Sequence, residues 1–393
     1  MKKLYVLAPN DRFNYGDLLF SHILRKVFAE IFDEIVFCST VKSDLSSLGG
    51  IQTEPYNVLY KANCRDENYL IVAGGESLFV SWRVILSYID KRIKTSKAFP
   101  KFRILSSLVW RLQSIYMRLK YNPHTTYPYT IGKFELKNFK GIVYNSVGNC
   151  KLHNDKYLLA NKKAKKIVND NDYISVRDKL TQTALKEMGV ESLLVADSAI
   201  LISKYFTESF LEHSLSLDKH KYSQQGYIYF QLGIAFLNGR EKEFAMMLDK
   251  IWKKYKLKIC LGVIARAIDH EDHIALAKIA KHLDPNCYLF YASPNLWDIM
   301  WLIKNARLYV GTSLHGAITA MSFNVPICAH GPEKLKRYLA DWGGEIGLNS
   351  FVEEKFLEQS INAKLENPQV VDTSKQFYSI NQSLCRIKNI FSK

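Results

Sequence analysis

The stretch Arg307 to Ala329, RLYVGTSLHGAITAMSFNVPICA, constrains the fold more tightly than any other part of the chain. Its apolar start, Arg307-Leu308-Tyr309-Val310, has the length and side chains of a short buried strand. Gly311-Thr312-Ser313 turns the chain, and Leu314 to Phe323 predicts a helix that Asn324-Val325-Pro326 stops. A new apolar run follows. His315 therefore falls in the first turn of a helix that follows a parallel strand, at the edge where open α/β sheets bind ligands. The unpaired N–H groups of such a helix favour an anion, and Thr312 or Ser313 can cap it and add a hydroxyl donor. The plainer alternative makes Ser313 only a cap and His315 a surface residue.

Strand–loop–helix units of this kind recur along the chain. Strands are expected at Lys3–Ala8, Glu34–Cys38, Tyr69–Ala73, Gly141–Val147, Tyr173–Val176 and Leu193–Ala196. A second series follows at Tyr227–Gln231, Leu257–Val263, Tyr288–Tyr291, Leu308–Val310 and Ile327–Ala329. Helical patterns lie between them, which argues for parallel, doubly wound α/β sheets. The polar stretch between about 203 and 225 reads as the inter-domain linker. This divides the chain into a first domain over 1–205, a second over 226–350 and an amphipathic helical tail over 351–393 that can pack back across the first domain.

The segment 91–124 does not fit a compact sheet domain. Nine Lys or Arg residues lie between Lys91 and Lys120, with no Asp or Glu. Ile104, Leu105, Leu108, Val109, Leu112, Ile115, Tyr116 and Leu119 follow helical spacing, and Arg103, Ser107, Arg111, Ser114 and Arg118 take the other side. A basic amphipathic helix of this type suits a membrane interface, as a peripheral contact and not a span. The alternative is an insertion helix packed on the core. The whole chain carries 54 Lys plus Arg against 38 Asp plus Glu, a net +16, which suits a polyanion, an anionic membrane face or a phosphorylated substrate. Nucleic acid explains the charge less well, because no recognised binding module is present.

Seven scattered cysteines without a CxxC pair read as thiols in a reducing cytoplasm, with no disulfide framework and no metal site. No apolar run is long enough to span a bilayer, and the apolar start before Pro9 is too short for a secretory signal.

Further candidate residues sit at strand ends. In Asn14-Tyr15-Gly16-Asp17, Gly16 allows a tight turn, and Asp17 either caps the following helix or holds a sugar hydroxyl. Gly74-Gly75 lets a ligand approach the backbone, with Glu76 beside it. Arg177 is either paired with Asp178 or a fork-shaped anion clamp. Lys334 opens another helix and supplies a second cation at the same rim. Asn145 completes the acceptor-side candidates with Asn14, Gly16, Asp17, Gly74, Gly75 and Glu76.

Taken together these motifs resemble the polysaccharide pyruvyl transferase family. The ordered set is NYGD at 14–17, GGESL at 74–78, YISVRD at 173–178, LLVADSAIL at 193–201, VGTSLHGAITAMSFNVPI at 310–327 and EKLKRYL at 333–339. The resemblance implies two Rossmann-like domains facing across a cleft, a glycosyltransferase-B-like architecture. It also implies transfer of the enolpyruvyl group of phosphoenolpyruvate onto two hydroxyls of a sugar, giving a pyruvate ketal. Arg177 and His315 would then bind phosphoenolpyruvate and carry the chemistry, with Thr312, Ser313, Leu314, Gly316 and Lys334 around the same co-substrate. Ser313 stands where many relatives carry arginine, so Lys334 or backbone N–H groups would replace that cation.

On this reading no cofactor or metal is required. The acceptor is a saccharide, expected on undecaprenyl diphosphate at the inner membrane face, in surface polysaccharide biosynthesis. Two alternatives stand beside it: a glycosyltransferase of the same shape using a nucleotide sugar, and a non-catalytic saccharide- or phosphate-binding protein.

Overall fold

A computed structural model describes residues 1–93, 103–223, 226–268, 270–293 and 295–392. The first sheet contains β1 (Lys2–Leu7), β2 (Glu34–Ser39), β3 (Ser43–Asp44), β4 (Gln52–Pro55), β5 (Glu67–Ala73), β6 (Phe139–Val147), β7 (Tyr173–Val176) and β8 (Leu193–Leu194), in the order β3-β4-β2-β1-β5-β6-β7-β8. Only the β3–β4 pair is antiparallel. The second sheet contains β9 (Tyr227–Gln231), β10 (Lys258–Gly262), β11 (Tyr288–Tyr291), β12 (Leu308–Gly311) and β13 (Ile327–Ala329). It is parallel throughout, in the order β11-β10-β9-β12-β13.

Both faces of the first sheet are covered, so its central strands read as continuous apolar runs. Leu4 and Val6 of β1 enter one core with Ile71 of β5 and Val143 of β6, under Leu19 and Ile23 of α1 (Tyr15–Phe28). Tyr5 and Leu7 point the other way, with Leu70, Val72 and Tyr144, under Trp82 and Ile85 of α2 (Trp82–Ser87). This is the two-residue period of a strand. The expected strands recur with ends shifted by a residue or two, while β3 and β4 carry too few apolar residues to be read in advance.

Helix α3 (Arg103–Tyr121) carries most of the described part of the basic insertion; Lys94, Lys97 and Lys101, and the side chains of Arg103, Ile104, Leu105, Ser107 and Leu108, lie outside what is described. Among the described residues no helix is long and apolar enough to cross a membrane.

The stretch read as a linker is not an open connection. It folds into short helices at Ile202–Tyr205, Glu208–Ser214 and His220–Ser223, and Ser216 donates from its backbone to buried Asp298 of the second domain at 2.8 Å. Its polar composition reflects a solvent-facing side, not an absence of structure.

The sites of interest lie at the C-terminal edges of strands, where α4 (Lys179–Glu187), α5 (Leu314–Ser322) and α6 (Glu333–Trp342) begin. The last helix, α7 (Ser374–Phe391), lies on the first sheet: Ser383 Oγ is 2.8 Å from Tyr173 Oη, and the Phe391 ring packs on Tyr69 and Phe28. The domains share an apolar seam in which Leu19, Ile23, Ile200 and Leu201 meet Ile299, Ala317, Ile318 and Met321. Tyr15 Oη lies 2.8 Å from Thr319 Oγ1 across it.

Candidate active site

Arg177 leaves β7 and turns into the domain junction. Its backbone is fixed from both sides: the N–H donates to Val147 O at 3.0 Å, and the carbonyl accepts from Trp342 Nε1 at 2.8 Å. Its guanidinium is buried and divided between two carboxylates, Nη1 donating to Asp197 Oδ2 at 2.8 Å and Nη2 to Glu76 Oε1 at 3.1 Å. Asp178 is not its partner. That carboxylate caps α4 by accepting from Thr181 N and Thr181 Oγ1. The two side chains border the same depression, but the helix start claims the Asp178 carboxylate, so sequence adjacency misled here.

His315, in the first turn of α5, meets the same carboxylate from the second domain. Its Nε2 lies 3.3 Å from Asp197 Oδ2. Burial pushes the Asp197 carboxyl up, but His315 and Arg177 outweigh it and hold the group down at about 2. Glu76 is also lowered: burial opposes its charge, and Arg177 and Lys334 overcome that. The imidazole rests directly on the first domain, with the Phe20 ring 5.4 Å away, edge on. A Cβ on Gly16 would stand 1.8 Å from His315 Nδ1. Gly16 therefore serves close approach of the histidine, and not the tight turn expected for it, since its φ is not in the left-handed region. Gly75 does the same for Arg177, where a Cβ would be 2.7 Å from Nη1.

A shallow, open depression adjoins Arg177 and Glu76, with His315 and Asp197 behind its lining. Glu76, Cys150, Arg177 and Asp178 line it from the first domain, and Leu314, Lys334, Arg337 and Tyr338 from the second. Lys334 has no ion-pair partner among the described residues, and Arg337 is held only by Glu333 one turn earlier, Nε to Oε1 at 2.9 Å. Cationic groups from both domains thus face one space, a setting suited to an anion. Arg337 and Asp197 were not singled out from the sequence. Arg337 lies three residues after Lys334 and so shares its helix face, while Asp197 follows a strand end.

The remaining candidates divide. Asp17 is half-buried and its charge is disfavoured by burial, against which Arg12, His315 and Lys334 act. It does not cap α1, because Asn14 holds the N-cap position; instead Arg12 Nη2 donates to it at 3.3 Å. Asn14 bridges to Ala265 of the second domain. Asn145 is fully buried, and neither its side-chain nitrogen nor its oxygen has a partner among the described residues. Gly74 adopts a φ of 137°, open to glycine, at the end of β5.

Thr312 and Ser313 are committed within their own domain. Thr312 Oγ1 accepts from Gly233 N and donates to Gln231 Oε1, while Ser313 Oγ accepts from Gly316 N at 3.2 Å as the cap of α5. The Gly316 N–H is therefore used, and the cation expected to stand in for the missing arginine has better candidates in Lys334 and Arg337. Among the described residues no three His, Cys, Asp or Glu side chains gather as metal ligands would.

The family model described as polysaccharide pyruvyl transferase matches residues 14–329. No curated protein matches the sequence significantly. Among solved structures the fold is similar to S. aureus MnaA in a co-structure with UDP, with a TM-score of 0.57 at 13% identity over 100% of this chain and 98% of that one. It is equally similar, at 0.57 and 11% identity, to a putative UDP-N-acetylglucosamine 2-epimerase from Listeria monocytogenes, covering 100% of this chain and 97% of that one. The UDP-GlcNAc 2-epimerase of Neisseria meningitidis bound to UDP-GlcNAc gives 0.54 at 10% identity over 99% of both chains. The likeness is one of fold: two α/β domains in the glycosyltransferase-B arrangement.

Proposed function

The chain belongs to the polysaccharide pyruvyl transferase family, and from that premise we propose that it moves the enolpyruvyl group of phosphoenolpyruvate onto two hydroxyls of a saccharide. The acceptor on this reading is carried on a lipid diphosphate. The observation that carries the proposal is the convergence of Arg177 from one domain and His315 from the other on Asp197, beside a depression lined by Lys334 and Arg337.

Phosphoenolpyruvate presents a carboxylate and a phosphate, and Lys334 and Arg337 are the cations least committed to other groups. Arg177, already neutralised by Glu76 and Asp197, shapes the pocket and offers a guanidinium edge. His315, oriented by Asp197, delivers a proton to the methylene carbon as a sugar hydroxyl attacks its neighbour. The carbon–oxygen bond to phosphate then breaks. The second hydroxyl attacks the same carbon and closes the ketal. One hydroxyl proton balances the proton taken by carbon, and the other leaves with phosphate. Glu76 borders this space as a ligand for the acceptor hydroxyls, and Asp17, under the influence of His315 and Lys334, is the second carboxylate assigned to them.

The test is phosphate release from phosphoenolpyruvate in the presence of lipid-linked saccharides, with UDP-sugars assayed in parallel. His315→Ala and Arg177→Ala should each abolish turnover without unfolding the protein. Full activity in either, or turnover of a nucleotide sugar alone, would reject the assignment.

A further inference from the structure

Helix α3 meets the body of the protein largely through polar side chains, with Met117 the buried apolar contact among its described side chains. Gln113 is buried, accepts from Arg83, and donates to Arg92 O at 2.9 Å; Arg83 Nη2 also donates to Ser114 Oγ at 3.1 Å. One turn further, Tyr116 Oη, Tyr121 Oη and Lys120 Nζ converge on Asp90 Oδ2 at 2.7, 2.9 and 3.1 Å. Met117 reaches the core beside them, but three apolar side chains are turned outward. Leu112, Ile115 and Leu119 are 58%, 55% and 82% exposed. Their spacing of three and four residues sets them in one row. Arg111 and Arg118, which flank that row, are exposed as well, and neither has an ion-pair partner among the described residues. No Asp or Glu occurs anywhere from 91 to 120. An insertion helix packed on the core through all its apolar residues would bury Leu112, Ile115 and Leu119; in α3 these three are exposed and Gln113 is buried.

We propose that this face docks on an anionic lipid bilayer, with Leu112, Ile115 and Leu119 at the boundary between headgroups and acyl chains and Arg111 and Arg118 against lipid phosphates. Charge complementarity selects this occupant. A second copy of the chain would bring like charges together, in a protein already carrying +16. The face is also tied to the domain junction. The Arg83 guanidinium stacks on Trp110 at 4.4 Å from helix α2, and just beyond α2 the Tyr88 ring lies 5.4 Å from the Arg12 guanidinium and 5.8 Å from the His270 ring. Docking would therefore hold the mouth of the cleft close to the bilayer. That this brings a lipid-carried acceptor within reach rests on the pyruvyl-transfer reading; the docking does not.

The experiment is co-sedimentation of the full chain with phosphatidylcholine vesicles, with and without phosphatidylglycerol, at low and high salt. Binding is expected only to the anionic vesicles, and weaker in salt. Replacing Leu112, Ile115 and Leu119 together by serine should weaken it by roughly tenfold or more. Arg111→Glu with Arg118→Glu should do so by at least about thirtyfold, and no phosphoenolpyruvate is present in either measurement. Unchanged thermal midpoints would show that both variants fold. Absence of vesicle binding, or equal binding by the variants, would overturn the proposal. So would a concentration-dependent dimer that the serine variant abolishes while vesicle binding stays at background.

Discussion

His315 Nε2 lies 3.3 Å from Asp197 Oδ2, across the junction of the two domains, and that oxygen also accepts from Arg177 Nη1 at 2.8 Å. One carboxylate oxygen thereby fixes two candidate catalytic side chains that are 138 positions apart, since 315 minus 177 is 138. Neither side chain can shift without disturbing the other.

Asp197→Asn tests that coupling. The amide keeps the size and one acceptor but removes the charge, leaving Glu76 as the only carboxylate hydrogen-bonded to Arg177. Turnover should fall by about 100-fold or more, because the histidine loses its orientation. Stability should also change with pH. The native carboxyl titrates at about 2, below its ordinary 3.8, so its contribution is present above 3.8 and lost as pH falls through about 2. The wild-type thermal midpoint should drop over that acid window more steeply than that of Asp197→Asn. Parallel curves would show that the interaction contributes nothing to folding.

Gly16→Ala should act through His315. The added methyl would meet His315 Nδ1 at 1.8 Å, and the imidazole, not the buried start of α1, is the part able to move. Overpacking of this kind costs about 1–3 kcal/mol, a tolerable loss for a domain, yet the histidine is displaced from Asp197. Activity should therefore collapse while the protein remains folded by circular dichroism. Retained activity would mean that the contact at Gly16 does not position the imidazole.

The fold was legible because apolar runs on both faces of a parallel sheet are hard to mistake, as in Tyr69–Ala73 and Leu308–Val310. Positions of the strand ends, and hence of Arg177 and His315, followed from the same pattern. What sequence could not supply was partnership. Asp178 stands next to Arg177 in the chain but caps a helix, while Asp197 and Glu76, 20 and 101 positions away, take the guanidinium. The role of Gly16 was hidden for the same reason: the group that needs its missing side chain arrives from the other domain. In α3 the helical period was readable, but not which side the protein would cover. Polar contacts from Arg83 and Asp90 decided that.

Lys334 and Arg337 carry the prediction about the co-substrate. Both are half-buried on one face of α6, and only Arg337 has an acidic partner, Glu333. If they grip the dianion, Lys334→Ala and Arg337→Ala should each raise KM for phosphoenolpyruvate, by roughly 10- to 100-fold at about 1.5–3 kcal/mol per charged hydrogen bond. The double variant should lose more than either. A change confined to the KM of the saccharide would place these cations on the acceptor side instead.

Asp272 sets a second pH dependence, at a loop where the two domains meet. It is buried, and its Oδ2 accepts from Ile264 N at 3.0 Å and Ala265 N at 2.9 Å. That loop is one of the second domain's links to the first: Tyr15 N donates to Ile264 O, Arg266 N donates to Phe13 O, and Ala265 pairs with Asn14. Burial raises the Asp272 carboxyl from 3.8 to about 7, despite the two N–H donors that favour its charge. The native state thus holds this proton where the unfolded chain has lost it. Stability should fall as pH rises from about 4 to about 7, by up to about 1.4 kcal/mol per pH unit, and level off above. This window lies above the one set by Asp197, so the two can be separated. Asp272→Asn keeps an oxygen for both N–H groups and cannot ionise. Its thermal midpoint should therefore lose this component of the decline, and should exceed the wild-type value most at about pH 8. A variant whose midpoint tracks the wild type across that range would show that the carboxyl does not titrate in the folded protein.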